Sequence, residues 1–129
     1  MIKHVDTPEK VPKVVLLLGS ERHDKVIEGL LRAGYIPLIH ETITEALDTV
    51  RHESLQGILV DTEYLHVDAL EFVLNVRDME RELPIAVVYG NGIAQYKEIL
   101  SKLENTYLIE ASPTPDALVR KFSAIVAHA

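Results

Sequence analysis

An aspartate stands at the end of a short apolar run in the stretch GILVD, residues 57–61. Such a run is typical of a buried strand, and an acid at its end is costly unless it has a partner or a use. Asp61 is therefore either a reactive carboxylate or the remains of one. Further candidates follow the other apolar runs or stand beside Asp61: Gly19, Ser20, Glu21, Thr62, Tyr89, Gly90 and Glu110. One open reading is that Glu110 and Asp61 share a proton or a divalent cation.

Five short apolar runs position these residues, and each is followed by a segment with helical periodicity. Short buried strands joined by helical crossovers predict a parallel sheet covered on both faces. Right-handed crossovers favour the flavodoxin-like (βα)5 doubly wound sheet, with strand order 2-1-3-4-5. The second strand, YIPLIHE, is expected at an edge because Pro37 lacks a backbone donor. We expect one three-layer α/β domain over residues 13–129, after a flexible lead-in over residues 1–12.

Local signals mark the ends and the inner faces of the helices. Thr42 precedes Glu45 with capping-box spacing. Thr114 and Pro115 mark the start of the last helix, and Gly34 marks the end of the first. The apolar spacing predicts a fourth helix over residues 93–104. It also predicts inward-facing side chains, among them Leu30, Leu31, Leu70, Val73 and Leu74.

The composition argues against several classes of function. The chain has 129 residues, a formal net charge of -7 and no basic block, which does not suit a nucleic-acid-binding surface. It has no cysteine, which excludes disulfides, thiolate metal sites and cysteine nucleophiles. The first residues lack the apolar core of a signal peptide, and the longest apolar run, VVLLLG, is too short for a membrane span. We expect a cytoplasmic protein that binds neither nucleic acid nor membrane.

The order of the motifs points to a known family. Asp61 ends the third strand, the segment 68–71 opens the third helix with DALE, LPIAVV forms the fourth strand, and Tyr107 lies on the fifth. In this pattern the chain resembles the receiver domain of bacterial response regulators, over nearly its full length. The resemblance implies that Asp61 occupies the phosphoacceptor position and that Tyr107 occupies the position of the aromatic switch residue.

The chain departs from that family at the residues that assist the phosphoacceptor. The family holds magnesium with an acidic pair after the first strand, where this chain has Leu18-Gly19-Ser20 and its first acid is Glu21. The family's phosphoryl-binding Thr or Ser is replaced by Tyr89, and its lysine after the fifth strand is replaced by Glu110. Phosphoryl transfer depends on positioning and charge stabilisation, so these changes are expected to disable it.

The resulting hypothesis is a pseudo-receiver, a degenerate signalling domain that acts through protein–protein interaction without phosphorylation. Such a domain is not an enzyme and needs no cofactor or metal. It binds a protein partner or a second copy of itself through the face that the family uses, formed by the fourth helix, fifth strand and fifth helix. The family also suggests a role as the regulatory part of a transcriptional regulator.

Two alternatives belong to other classes. In the first, the domain is an atypical receiver that is still phosphorylated on Asp61, with Glu21 and Asp61 holding the metal and Thr62 or Ser112 supplying the hydroxyl. In the second, the same crevice binds a small ligand of the flavin or cobalamin type. A colourless purified protein would argue against the second alternative.

Overall fold

The computed structural model describes residues 13–19, 24–62, 68–90, 96–111 and 114–127, so the predicted lead-in over residues 1–12 lies outside the described part. Strands and helices alternate along these residues. The strands are β1 (Lys13–Leu18), β2 (Tyr35–His40), β3 (Gly57–Asp61), β4 (Ile85–Tyr89) and β5 (Thr106–Glu110). The helices are α1 (Asp24–Arg32), α2 (Ile43–His52), α3 (Ala69–Met79), α4 (Lys97–Ser101) and α5 (Pro115–Ala127). Among the described residues, no helix is long and apolar enough to cross a membrane.

The five strands form one parallel sheet in the order β2-β1-β3-β4-β5. This is the flavodoxin-like order, and the prediction of fold class and strand order is confirmed. The register places Leu18 beside Val60 and Tyr89 beside Glu110. The carboxyl ends of all five strands therefore lie at one edge of the sheet, where the candidate residues were expected.

Each face of the sheet buries one apolar cluster, because successive side chains of a strand point to opposite faces. The cluster under α2, α3 and α4 includes Leu16, Leu18, Ile58, Val60, Phe72, Val87 and Leu100. The cluster under α1 and α5 includes Val15, Leu17, Leu30, Leu59, Ala86, Ile109 and Phe122. This alternation assigns each strand residue to one of the two faces.

β2 is an edge strand, and its proline lies where no ladder bond is lost. The His40 carbonyl accepts a hydrogen bond from the Gly19 amide at 3.0 Å, so the backbone groups of His40 point towards β1. Alternation along the strand then points the backbone of Pro37 away from β1. The Pro37 nitrogen, which carries no hydrogen, therefore faces the open edge of the sheet. The expected edge position of β2 is confirmed, and this edge has one hydrogen-bond donor fewer for pairing with another strand.

The predicted helix signals are present. The Thr42 hydroxyl accepts a hydrogen bond from the Glu45 amide at 3.2 Å, and the Thr114 hydroxyl accepts one from the Ala117 amide at 3.2 Å. Gly34 has a φ of 95°, a conformation that favours glycine after a helix end. Local capping chemistry therefore fixes these three boundaries.

Some finer predictions are wrong. Leu31 and Leu74 were expected to face inward, but they are 55% and 47% exposed. Their neighbours Leu30 and Val73 fill the two clusters instead. Helix α4 ends at Ser101, earlier than the predicted 104, because the chain turns into β5 through Asn105, whose φ is 53°. The predicted start of this helix at residue 93 lies outside the described residues.

Candidate functional site

Asp61 lies at the carboxyl end of β3 and is almost completely buried, with 1% of its surface exposed. Val88 of β4 flanks it on one side. On the other side is Gly19, where a β-carbon would lie 3.5 Å from the Asp61 β-carbon. Asp61 is therefore a buried carboxylate at a strand end, and the residue that flanks it after β1 carries no side chain.

Thr62 uses its polar groups within the sheet. Its amide donates to the Val88 carbonyl at 3.2 Å, and its hydroxyl donates to the same carbonyl at 2.6 Å. The hydroxyl proton is therefore engaged with the backbone of β4. A hydroxyl held in this way extends the β3–β4 ladder beyond Asp61.

Tyr89 and Glu110 lie side by side at the ends of β4 and β5. The Tyr89 carbonyl accepts a hydrogen bond from the Ala111 amide at 2.8 Å, which continues the ladder past Glu110. The Lys97 ammonium, from the first residue of α4, lies 4.5 Å from the centre of the Tyr89 ring. A hydrogen bond and electrostatic attraction to Tyr89, aided by Glu110, raise the pKa of Lys97. We call Lys97, Tyr89 and Glu110 the strand-end cluster.

The strand-end cluster and Asp61 belong to opposite faces of the sheet. Tyr89 packs against the apolar cluster under α2, α3 and α4, whereas Asp61 alternates with Leu59, which belongs to the other cluster. Strand β4 separates β3 from β5, so about 10 Å lies between the backbones of Asp61 and Glu110. Glu110 attracts the Lys97 ammonium, which lies beside Tyr89 on this same face.

The other predicted residues are distributed as follows. Ser20, Glu21 and Ser112 lie outside the described residues. Gly90 is half-buried directly after β4. Tyr107 is paired with Ala86 on β4 and is 36% exposed at the sheet edge that β5 forms. The described ranges contain no group of three or more His, Asp or Glu side chains placed to hold a metal ion.

Arg77 was not anticipated as a structural residue. Its guanidinium donates to the carbonyls of Glu80, Glu104 and Asn105 at 2.9, 2.8 and 2.8 Å, and to the Thr106 hydroxyl at 3.4 Å. Burial lowers the pKa of Arg77, and the carboxylates of Glu104 and Glu80 act in the opposite direction. Arg77 thereby ties the end of α3 to the turn that leads into β5.

No protein-family model and no curated protein sequence matches the chain. Solved structures do match it closely in fold. A CheY-like receiver domain protein from Methanospirillum hungatei is 17% identical with a TM-score of 0.77, and the alignment covers 92% of this chain and 96% of that one. A response regulator receiver protein from Sinorhizobium medicae is 15% identical with a TM-score of 0.73, covering 90% and 95%. The protein therefore has the fold of a response-regulator receiver domain.

A third solved structure that matches in fold contains a metal ion. The receiver domain of a sensor histidine kinase from Pseudomonas aeruginosa is 24% identical with a TM-score of 0.69, and the alignment covers 91% of this chain and 99% of that one. That domain has a magnesium ion coordinated in its active-site cleft. It offers a reference in which the same fold holds the metal.

Proposed function

We propose that this protein is a pseudo-receiver, a signalling module that binds a partner protein or a second copy of itself without being phosphorylated. One observation carries the proposal. The strand-end cluster occupies the ends of β4 and β5, where the resemblance predicts a small hydroxyl and a lysine. Tyr89 instead packs under α4, and Glu110 places a negative charge where receivers have a positive one.

The surroundings of Asp61 support the same proposal. Gly19 has no side-chain carboxylate to bind a magnesium ion, which prefers hard oxygen ligands such as carboxylates. Asp61 has 1% of its surface exposed, so a phosphoryl donor has little access to its carboxylate. Phosphoryl transfer is catalysed by positioning and by stabilisation of the charge on the phosphoryl oxygens. A site that lacks the lysine and the acidic pair of receivers provides little positioning of the phosphoryl group and little stabilisation of its charge.

The surface around β5 suits an interaction. Ile99 on α4 and Tyr107 on β5 are large apolar side chains that are 49% and 36% exposed, and both lie on the face formed by α4, β5 and α5. Exposed aromatic and aliphatic anchors are typical of protein interfaces. In this proposal the module works in the cytoplasm as a regulatory, non-enzymatic domain, with contacts to protein rather than to nucleic acid.

The absence of phosphorylation chemistry is tested by amide NMR titration of the full chain with magnesium and then with beryllium fluoride, a phosphoryl mimic. We expect no saturable shifts at Asp61, Thr62, Tyr89 or Tyr107, because neither the metal ligands nor the lysine are in place. The Pseudomonas aeruginosa receiver domain, which coordinates magnesium, serves as the positive control under the same conditions.

The opposite result would support the atypical receiver. Saturable shifts that centre on Asp61 and disappear in Asp61→Asn would show that the site still accepts a phosphoryl group, and the pseudo-receiver proposal would then fail. Shifts that persist in Asp61→Asn would indicate binding elsewhere and would leave the assignment of Asp61 as inactive intact.

The interaction face is tested by the substitution Ile99→Asp. If the chain forms a dimer through α4, β5 and α5, this charge is expected to raise the dimer dissociation constant at least about tenfold, because a buried charge replaces an apolar anchor. Sedimentation equilibrium measures the constant. The matched control is Leu74→Asp, which alters a side chain of nearly equal exposure on α3. Equal loss of the dimer in both variants, or a loss only in the control, would refute this interface.

A further inference from the structure

Lys97 occupies a position that is unfavourable for a cation on local grounds. It is the first residue of α4, a helix of five residues, and the positive end of a helix dipole repels a positive charge. The preceding residue, Tyr96, makes no side-chain capping hydrogen bond that would strengthen this helix start. Neither the dipole nor a cap therefore accounts for the position of the Lys97 side chain, whereas its contact with the Tyr89 ring at the end of β4 does.

Those contacts reverse the charge arrangement that the resemblance predicts. A receiver carries its lysine on the fifth strand, from which the side chain reaches the phosphorylated aspartate. Here β5 carries the acid, Glu110, and the helix carries the lysine. The ammonium of Lys97 lies over the Tyr89 ring, and the attraction of Glu110 acts on it as well.

We propose that Lys97 is the positioning residue of the strand-end cluster: it holds the first turn of α4 against the ends of β4 and β5 without phosphorylation. The inference rests on the proposed function, since a fixed α4 is what a phosphorylation-independent docking face requires. It assigns a role to a residue that neither the motifs nor the resemblance singles out. Tyr89 is the ring on which Lys97 rests, and Glu110 supplies the compensating charge.

The first test measures Lys97 directly by NMR of its side chain. In the wild type, the methylene protons next to the ammonium are expected upfield, because the ammonium lies over the Tyr89 ring, 4.5 Å from its centre. The upfield shift is lost in Tyr89→Leu and kept in Tyr89→Phe, which retains the ring. The pKa of Lys97 is expected to fall in Tyr89→Leu, which removes the ring and its hydroxyl, and in Glu110→Gln, which removes a negative charge that acts on Lys97.

The second test asks whether the contact positions α4. Lys97→Glu is expected to shift the amide signals of Lys97–Ser101 and to increase their hydrogen exchange. The double variant Lys97→Glu with Glu110→Lys, which exchanges the two charges, is expected to recover only the part of both effects that depends on Glu110, because a carboxylate is not attracted to the face of the Tyr89 ring. Lys102→Ala, which removes the Lys102–Glu98 pair at 3.5 Å, is the control for a general loss of charge on α4.

The outcomes are distinct from those of the phosphorylation test. Unchanged methylene shifts in Tyr89→Leu, or α4 signals in Lys97→Glu that do not differ from those of Lys102→Ala, would overturn the role of Lys97. Neither of these results would change the expected lack of a response to beryllium fluoride. A phosphorylatable Asp61, conversely, would refute the proposed function while the Lys97 contact remained measurable.

Discussion

Replacing Arg77 by alanine is expected to lower the free energy of unfolding by about 2 to 3 kcal/mol. The guanidinium satisfies the carbonyls of Glu104 and Asn105 together, at 2.8 Å each, in the turn that starts β5. Without it these carbonyls lose a charged donor, and the half-buried Asn105 carbonyl has limited access to water in its place. Equilibrium unfolding in urea, monitored by circular dichroism, measures the difference.

Two further variants make this prediction specific. Arg77→Lys keeps the charge but cannot reach several acceptors at once, so it is expected to recover less than half of the lost stability. Arg81→Ala removes an exposed arginine nearby and is expected to change stability by less than about 0.5 kcal/mol. Equal effects of Arg77→Ala and Arg81→Ala would show that the hydrogen bonds of Arg77 contribute little.

The fold is predictable because its signals are local. Alternating strands and helices, the proline in β2 and the hydroxyl cap at Thr42 each act within a few residues, and a parallel sheet then leaves few topologies. The same reasoning placed the candidate residues at one edge of the sheet. Asp61, Tyr89 and Glu110 are strand-end residues, and parallel strands bring their ends together wherever the loops lie.

The errors arise where periodicity is ambiguous. Leu30 and Leu31 lie about 100° apart on a helix, so an apolar pair does not show which member faces the sheet. Val73 and Leu74 present the same ambiguity on α3. In both helices the first residue of the pair is buried and the second is exposed, which only the packing of the helix against the sheet decides.

The contacts of Arg77 and Lys97 were missed for a different reason. The acceptors of Arg77 near β5 are mainly backbone carbonyls of residues 27 and 28 positions away, and a carbonyl has no sequence signature. For Lys97, the sequence did contain a weak indication of its contacts. Tyr89 and Glu110 end two strands that follow each other along the chain, and the helix between those strands begins with a lysine. A search for a cation close to the negative charge of Glu110 would therefore have pointed to Lys97.

Introducing the groups that receivers carry is expected to make the site around Asp61 respond to magnesium and beryllium fluoride. In the variant Gly19→Asp with Tyr89→Thr and Glu110→Lys, magnesium and beryllium fluoride should produce saturable shifts around Asp61. A β-carbon at position 19 would lie 3.5 Å from the Asp61 β-carbon, an ordinary contact, so a side chain can begin at this position without a clash. The change from acid to lysine at position 110 favours a bound anion by about 1 to 3 kcal/mol across about 10 Å, the lower figure applying to an exposed side chain.

Adding Lys97→Ala to this variant is expected to strengthen the response to beryllium fluoride. A lysine at position 110 would face the Lys97 ammonium, and their repulsion would compete with the reach of the new side chain towards Asp61. The same NMR titration compares the variants with three and with four substitutions, and circular dichroism confirms that both are folded. A folded variant with four substitutions that gave no response would contradict this prediction and show that the groups at positions 19, 89 and 110 are not sufficient, and the burial of Asp61 would then be the next cause to test.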